Sequence, residues 1–167
     1  AYRAQGYHPY IIPMGASNGI GTFGYIHCME EILSQEQAMG LQFDTLVDAV
    51  GSGGTYAGLY AGAQLLSAGK RIVGFNVCDT AEQFRQEIAE ILRETAGYLD
   101  CAPFDPMGIE IIDGYVGRGY ALSRPEELAA LAEFARMEGV VLDPVYTGKA
   151  YFGMIHELEK STFADSR

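Results

Sequence analysis

Short runs of consecutive apolar residues alternate along the chain with longer stretches whose apolar positions recur every three or four residues. Residues 43–50, FDTLVDAV, and residues 71–77, RIVGFNV, are brief and rich in β-branched or aromatic side chains, the pattern of buried strands. PYIIPM at residues 9–14, GIEIIDGY from residue 108 and VVLDPVYTG from residue 140 predict three more. Between them the period changes. Residues 25–40 place apolar side chains at 26, 29, 32, 33 and 39 and end on Gly40, a natural C-cap. Residues 55–69 predict a helix closed by Gly69, residues 80–97 an amphipathic helix, and residues 149–160 a last one. A further helix over 126–138 is announced by Ser123 with Glu126 three positions on, the spacing of a capping box, by Pro125 in its first turn, and by Gly139 as its stop.

Strands alternating with helices at this spacing predict an α/β fold, a mostly parallel sheet with helices on both faces. In such sheets ligands bind beyond the carboxyl ends of the strands, where loops lead into helices. Three loops qualify, at residues 51–55, 115–120 and 143–149, each setting polar groups in a frame of glycine or proline. They are expected at one edge of the sheet.

Composition narrows the partners. A length of 167 residues suits one domain with a sizeable core. A net charge of −11 argues against nucleic acid or an anionic membrane, both of which require clustered Lys and Arg. No stretch approaches the roughly 18 apolar residues of a spanning helix, and AYRAQGYHPYIIP lacks the basic start and apolar run of a signal peptide. Cys28, Cys78 and Cys101 form no CxxC and have no histidine at ligand spacing, which excludes a sequence-encoded zinc site and suits a reducing cytoplasm.

The glycine-packed turn GSGGT at residues 51–55 exposes backbone amides at a helix N-terminus, where an anion can bind. It lacks the Gly-Lys-Ser/Thr ending of a nucleotide phosphate loop. A dinucleotide fingerprint would want an acidic residue at the tip of the next strand, and Asp79 lies beyond that tip. A tight turn with nothing bound is a further reading. So is a single phosphate monoester cradled by the amides of Ser52, Gly53, Gly54 and Thr55 with the hydroxyls of Ser52 and Thr55, the kind of group that pyridoxal phosphate carries.

Four phrases, YIIPMGASNGIGTFGY, GSGGTYAGL, DGYVGRGYA and DPVYTGKA, occur here in one order and span most of the chain. Together they resemble the D-cysteine desulfhydrase and 1-aminocyclopropane-1-carboxylate (ACC) deaminase family. These are fold-type II pyridoxal-phosphate enzymes, relatives of the tryptophan synthase β chain. The resemblance implies that Ser52, Gly53, Gly54 and Thr55 hold the cofactor phosphate and that Thr147 faces the pyridine nitrogen. It places Tyr146 over the substrate and Tyr120 in the pocket lining, as the catalytic residues, with a small amino acid as substrate and a homodimer as the assembly. Thr147 also discriminates within the family. ACC deaminases carry glutamate there, which keeps the pyridine nitrogen protonated and deepens the electron sink needed to open a cyclopropane ring. A threonine leaves a weaker sink, adequate for removing an α-proton and expelling a thiolate, so the implied reaction is D-cysteine to pyruvate, hydrogen sulfide and ammonia, with ACC deamination as the alternative.

This chemistry requires a lysine to hold the cofactor as a Schiff base. The chain has Lys70, Lys149 and Lys160. Lys70 precedes a strand in what reads as an exposed loop, Lys160 falls in a charged helix, and Lys149 lies in the DPVYTGKA loop, where the family's lysine is not the Schiff-base residue. The resemblance therefore implies that residues 1–167 are the C-terminal, large-domain portion of a longer enzyme. The lysine-bearing segment, most of the small domain and the C-terminal tail would lie elsewhere. Inactivity of the chain alone and exposed apolar surface are both expected on that reading.

Overall fold

In the computed structural model, which describes residues 1–164 and residue 166, the two strongest apolar runs lie side by side as parallel strands. β1 (Thr45–Val50) pairs with β2 (Arg71–Asn76) in a register that sets Asp48 opposite Gly74. The short β3 (Glu110–Ile112) pairs in parallel with β2 on its other side, giving the order β1-β2-β3. Five helices accompany them: α1 (Phe23–Met39), α2 (Gly54–Leu65), α3 (Ala81–Leu99), α4 (Pro125–Glu138) and α5 (Thr147–Glu159).

Side chains alternate across a strand, so β2 serves two cores. Ile72, with Val50 and Ile111, joins a cluster built from α1, α2 and α3, including Met29, Tyr56, Phe84 and Ile88. Val73 and Phe75 point the other way, onto Tyr115 and the α5 residues Ala150 and Phe152. Both faces are covered, as a parallel sheet requires.

α2 is buried from Tyr56 to Ala63, and its small residues let α1 pack closely. A Cβ on Gly58 would lie 2.5 Å from the Tyr25 Cβ, and one on Gly62 would lie 2.8 Å from that of Met29. The Tyr56 hydroxyl donates to the Ile72 carbonyl and accepts the Glu110 amide, each at 2.8 Å, tying α2 to both neighbouring strands.

Several sequence expectations need correction. Residues 9–14 form no strand: Tyr10, Ile11 and Ile12 are exposed, and a 3-10 turn, Met14–Ala16, follows. Pro9 and Pro13 deprive this run of two ladder donors. The strand expected from residue 140 before the Asp143 loop does not form either: residues 140–142 join no sheet, and Val140 and Val141 are exposed. The helix predicted to reach Gly69 ends at Leu65. At α4 the capping pair is displaced by one residue. Pro125 occupies the first helical position, so Arg124 is the N-cap and its amide donates to Glu127 Oε2 at 2.6 Å. Lys70 is not exposed. Its side chain is 2% accessible, and its ammonium donates to Glu36 Oε1 at 2.7 Å and to the Phe43 carbonyl at 2.5 Å. This pair joins the end of α1 to the approaches of β1 and β2.

Candidate active site

The turn between β1 and α2 is shaped by three close approaches that only glycine tolerates. Gly53 has φ +79°, and a Cβ there would lie 2.9 Å from Ile88 Cγ1 of α3. A Cβ on Gly54 would lie 2.6 Å from the Ser17 hydroxyl and 3.1 Å from the Ser17 Cα, while one on Gly51 would lie 2.7 Å from Cε1 of Tyr146. A helix start leaves its first amides without intrahelical partners. Among the described residues, the amides of Ser52, Gly53, Gly54 and Thr55 donate to nothing else in the chain. The turn therefore presents a set of open donors at the positive end of α2.

Hollows flank the turn on two sides. One, of about 120 Å³, is bounded by Asp48, Ala49, the turn itself, Tyr56 and Tyr146. The other, of about 580 Å³, opens beside Ser17 and Ser52 towards α3, with Asp79, Glu87 and Glu90 on its wall. Ser17 donates to the Ser52 hydroxyl at 2.7 Å, so the segment before α1 is pinned to the turn. Nothing in the sequence marks Ser17 itself for this contact; the glycine-rich GASNG around it is the available signal.

Asp48 is a second residue that the sequence did not single out. Its Oδ2 is buried without a hydrogen-bond partner, and burial pushes its carboxyl up to about 7. Burial likewise pushes the Cys78 thiol up to about 11, reinforced by neighbouring Asp79. A thiol held in that form is a poor nucleophile at neutral pH, although its sulfur lies 3.9 Å from the Gly51 carbonyl.

The DPVYTGKA loop enters α5 at the same end of β1. Asp143 organises it, accepting the amides of Val145 (2.8 Å), Tyr146 (2.7 Å) and Thr147 (2.9 Å) and the Thr147 hydroxyl (2.6 Å). Burial raises the Asp143 carboxyl, but these bonds outweigh it and hold it below the usual carboxylate range. The Thr147 oxygen in turn accepts the Asp143 amide at 3.1 Å. Its only proton is thus engaged by a carboxylate.

Tyr146 is 40% exposed, and its ring stands against Gly51. Its hydroxyl lies 2.5 Å from that of Tyr120, with the rings edge to face at 5.9 Å. That hydrogen bond, with partial burial, raises the Tyr146 phenol above its ordinary value. The three loops proposed from sequence therefore meet: the glycine turn touches Tyr146, and Tyr146 touches Tyr120. Ser52, Gly53, Gly54 and Thr55 lie on one side of this junction, and Thr147 follows Tyr146 directly.

None of the three lysines offers a free amine here. Lys70 is paired with Glu36, and Lys160 donates to Glu157 Oε1 at 2.8 Å and to the Tyr115 hydroxyl at 3.0 Å. Lys149 is buried among the carbonyls of Val116, Gly119 and Leu122. Among the described residues no group of three or more His, Cys, Asp or Glu could hold a metal ion, and no helix is long and apolar enough to cross a membrane.

The profile of the family described as "Pyridoxal-phosphate dependent enzyme" matches residues 1–166. The chain is 41% identical over 163 residues to a D-cysteine desulfhydrase of Yersinia enterocolitica, covering 98% of this chain and 49% of that protein. It is 38% identical over 163 residues to a D-cysteine desulfhydrase of Serratia proteamaculans, with the same coverage. The crystal structure of an ACC deaminase homologue superposes with a TM-score of 0.86 at 34% identity, covering 96% of this chain and 47% of that one. The chain thus spans about half the length of the relatives it matches. An open anion cradle beside two paired tyrosines, on a parallel α/β scaffold shared with these proteins, agrees with the profile match: the chain belongs to the family of pyridoxal-phosphate-dependent enzymes.

Proposed function

We propose that this chain is the large-domain, phosphate-gripping and tyrosine-bearing portion of an enzyme that carries out α,β-elimination on a small amino acid, D-cysteine first among them. The observation that carries the reading is the contact between the glycine turn and Tyr146, which puts an anion cradle and a pair of phenols on one site. The cradle fits the cofactor's phosphate: it has four open amides, the hydroxyls of Ser52 and Thr55, and glycines wherever a Cβ would intrude. When bound, pyridoxal phosphate supplies an electron sink that makes the α-proton of an amino acid removable.

This chain's own residues then bind and orient. The amides of Ser52, Gly53, Gly54 and Thr55 take the dianion. Tyr146 and Tyr120 share a hydrogen-bonded proton on the substrate side, placed to meet a departing thiolate. The Thr147 hydroxyl donates its hydrogen bond to Asp143 at 2.6 Å, so in this arrangement it has none to donate to a ring nitrogen. That favours a shallow sink and expulsion of a good leaving group over the opening of a cyclopropane. Overall, D-cysteine and water give pyruvate, hydrogen sulfide and ammonia. The amine that anchors the cofactor comes from a segment outside these residues, since Lys70, Lys149 and Lys160 are all engaged, and the chain by itself is inactive. The whole protein works in the cytoplasm as a homodimer, a reading supported by the resemblance to desulfhydrases and by the three free cysteines.

The test is a steady-state assay of the longer protein carrying this sequence. Equimolar pyruvate and sulfide from D-cysteine, with little product from ACC, is the expected result. Turnover of ACC at a rate matching D-cysteine, or no reaction with either, would overturn the assignment. Thr147→Glu should lower D-cysteine turnover at least tenfold.

A further inference from the structure

Lys149 stands where elementary electrostatics would not put a cation. It is the third residue of α5, at the positive end of the helix dipole, and it is only 1% exposed. Among the described residues no carboxylate pairs with it. Its ammonium instead donates to three backbone carbonyls: that of Val116, that of Gly119 at 2.7 Å and that of Leu122 at 3.3 Å. Three donors meet three acceptors, so the buried charge is satisfied entirely by backbone dipoles.

All three acceptors belong to residues 116–122, which contain no helix or strand. This loop bends through the left-handed region three times, at Gly117 (φ +69°), Gly119 (φ +127°) and Ala121 (φ +59°). Its own backbone contributes only two long hydrogen bonds, from Gly119 to the Val116 carbonyl at 3.4 Å and from Leu122 to that of Gly119 at 3.2 Å. The loop carries Tyr120, whose hydroxyl reaches that of Tyr146 three residues before Lys149 in the sequence. The contacts close a ring: Lys149 holds the loop, the loop presents Tyr120, Tyr120 meets Tyr146, and Tyr146 leads back to Lys149 through the start of α5.

We infer that Lys149 is a positioning residue, whose ammonium gathers the carbonyls of Val116, Gly119 and Leu122 into a cage and thereby sets the Tyr120 hydroxyl against that of Tyr146. The consequence for the reaction rests on the reading of these two phenols as the substrate-facing pair. The positioning itself does not, and it is measured without cofactor or substrate. It also assigns the lysine of the DPVYTGKA phrase a role other than that of reactive amine.

The experiment follows the titration of Tyr146 by NMR in protein labelled at the tyrosine ζ-carbon. In the longer protein carrying this sequence Tyr146 should titrate above an ordinary tyrosine, and Tyr120→Phe should remove most of that elevation. Lys149→Met, with circular dichroism showing it folded, should lose the elevation to the same extent, and adding Tyr120→Phe to it should change nothing more. An unchanged Tyr146 titration in folded Lys149→Met, or a Tyr120→Phe effect that survives in that background, would overturn the inference. Should Lys149→Met not fold, Lys149→Ala is refolded with and without n-propylammonium, which replaces the deleted atoms. Recovery of the elevated titration only with the amine is expected, and failure to recover it with the amine would equally overturn the inference. Because no step involves pyridoxal phosphate, failure here is distinguishable from failure of the functional reading.

Discussion

The two glycine-rich loops of the site, residues 51–55 and residues 116–122, have similar composition and are held by opposite means. The first is shaped from outside by packing: Ile88 presses on Gly53, Ser17 on Gly54 and Tyr146 on Gly51. The second is held from inside by one ammonium bonded to three of its carbonyls. On the function proposed above, the difference follows from what each would present. A turn that offers its amides to an anion cannot spend them on its own stability, so steric contact has to define it. A loop that offers a side chain, Tyr120, is free to commit its carbonyls to a cation.

The comparison breaks most decisively at Gly53. Gly53→Ala meets both the left-handed penalty and the contact with Ile88 and should lose about 2–4 kcal/mol in urea denaturation, together with phosphate binding. Gly119→Ala meets strain alone, since the nearest atom to its Cβ is Leu122 Cδ1 at 3.8 Å. It should cost roughly 1–2 kcal/mol. Equal losses at the two positions would erase the distinction.

The loops should also weaken at opposite ends of the pH scale. The Asp48 carboxyl beneath the first loop keeps its proton to about 7, whereas in the unfolded chain it ionises near 4. The folded state is therefore penalised as pH rises from about 4 to 7, and the penalty is complete above that. Asp48→Asn should stabilise the protein at pH 8 by about 1–3 kcal/mol and have little effect at pH 4, as read from paired thermal melts. Near the other end of α5, Glu157 accepts from Lys160, Thr162 and the hydroxyl of Tyr115, the residue just before the second loop, in that order of influence, and its carboxyl is held down to about 2. Its contribution is full above the unfolded carboxylate range and fades as pH falls from about 5 towards 2. Glu157→Gln should lower stability throughout neutral and alkaline pH and flatten that acid limb, with the smallest difference from the parent near pH 2.

The smallest effect is expected at Ser17. Ser17→Ala removes one partly buried hydrogen bond to Ser52 and should cost about 0.5–1.5 kcal/mol. Phosphate affinity should persist, because the open amides remain; its loss would show that the hydroxyl pair, not the backbone, grips the anion.

Much of the fold was legible where pattern and packing agree. The runs at 43–50 and 71–77 are continuous and apolar because both faces of a parallel sheet are buried, and they became β1 and β2. The runs at 9–14 and from 140 are as apolar, yet Ile11, Ile12 and Val141 are exposed. Hydrophobicity in a short run signals that a segment seeks cover; it does not say whether a ladder partner stands beside it. Within the site, the phrases marked the turn, Tyr120, Tyr146 and Thr147, but Asp48 and Ser17 escaped. An aspartate at alternate spacing in a strand looks like an ordinary solvent-facing residue, and only the closure of α2 over it isolates its carboxylate.

The linear order of residues determined which segments are helical, that β1 and β2 run parallel, and where the glycines permit a turn open to an anion. Local rules decide these matters: side-chain period, backbone freedom and capping. Tertiary structure alone decided that Lys149 is buried among three backbone carbonyls, that Lys70 is buried against Glu36, and that Tyr120 reaches Tyr146 across 26 residues of chain. The reason is physical. Protonation, reactivity and reach depend on which dipoles and charges surround a group, and those neighbours come from distant parts of the sequence.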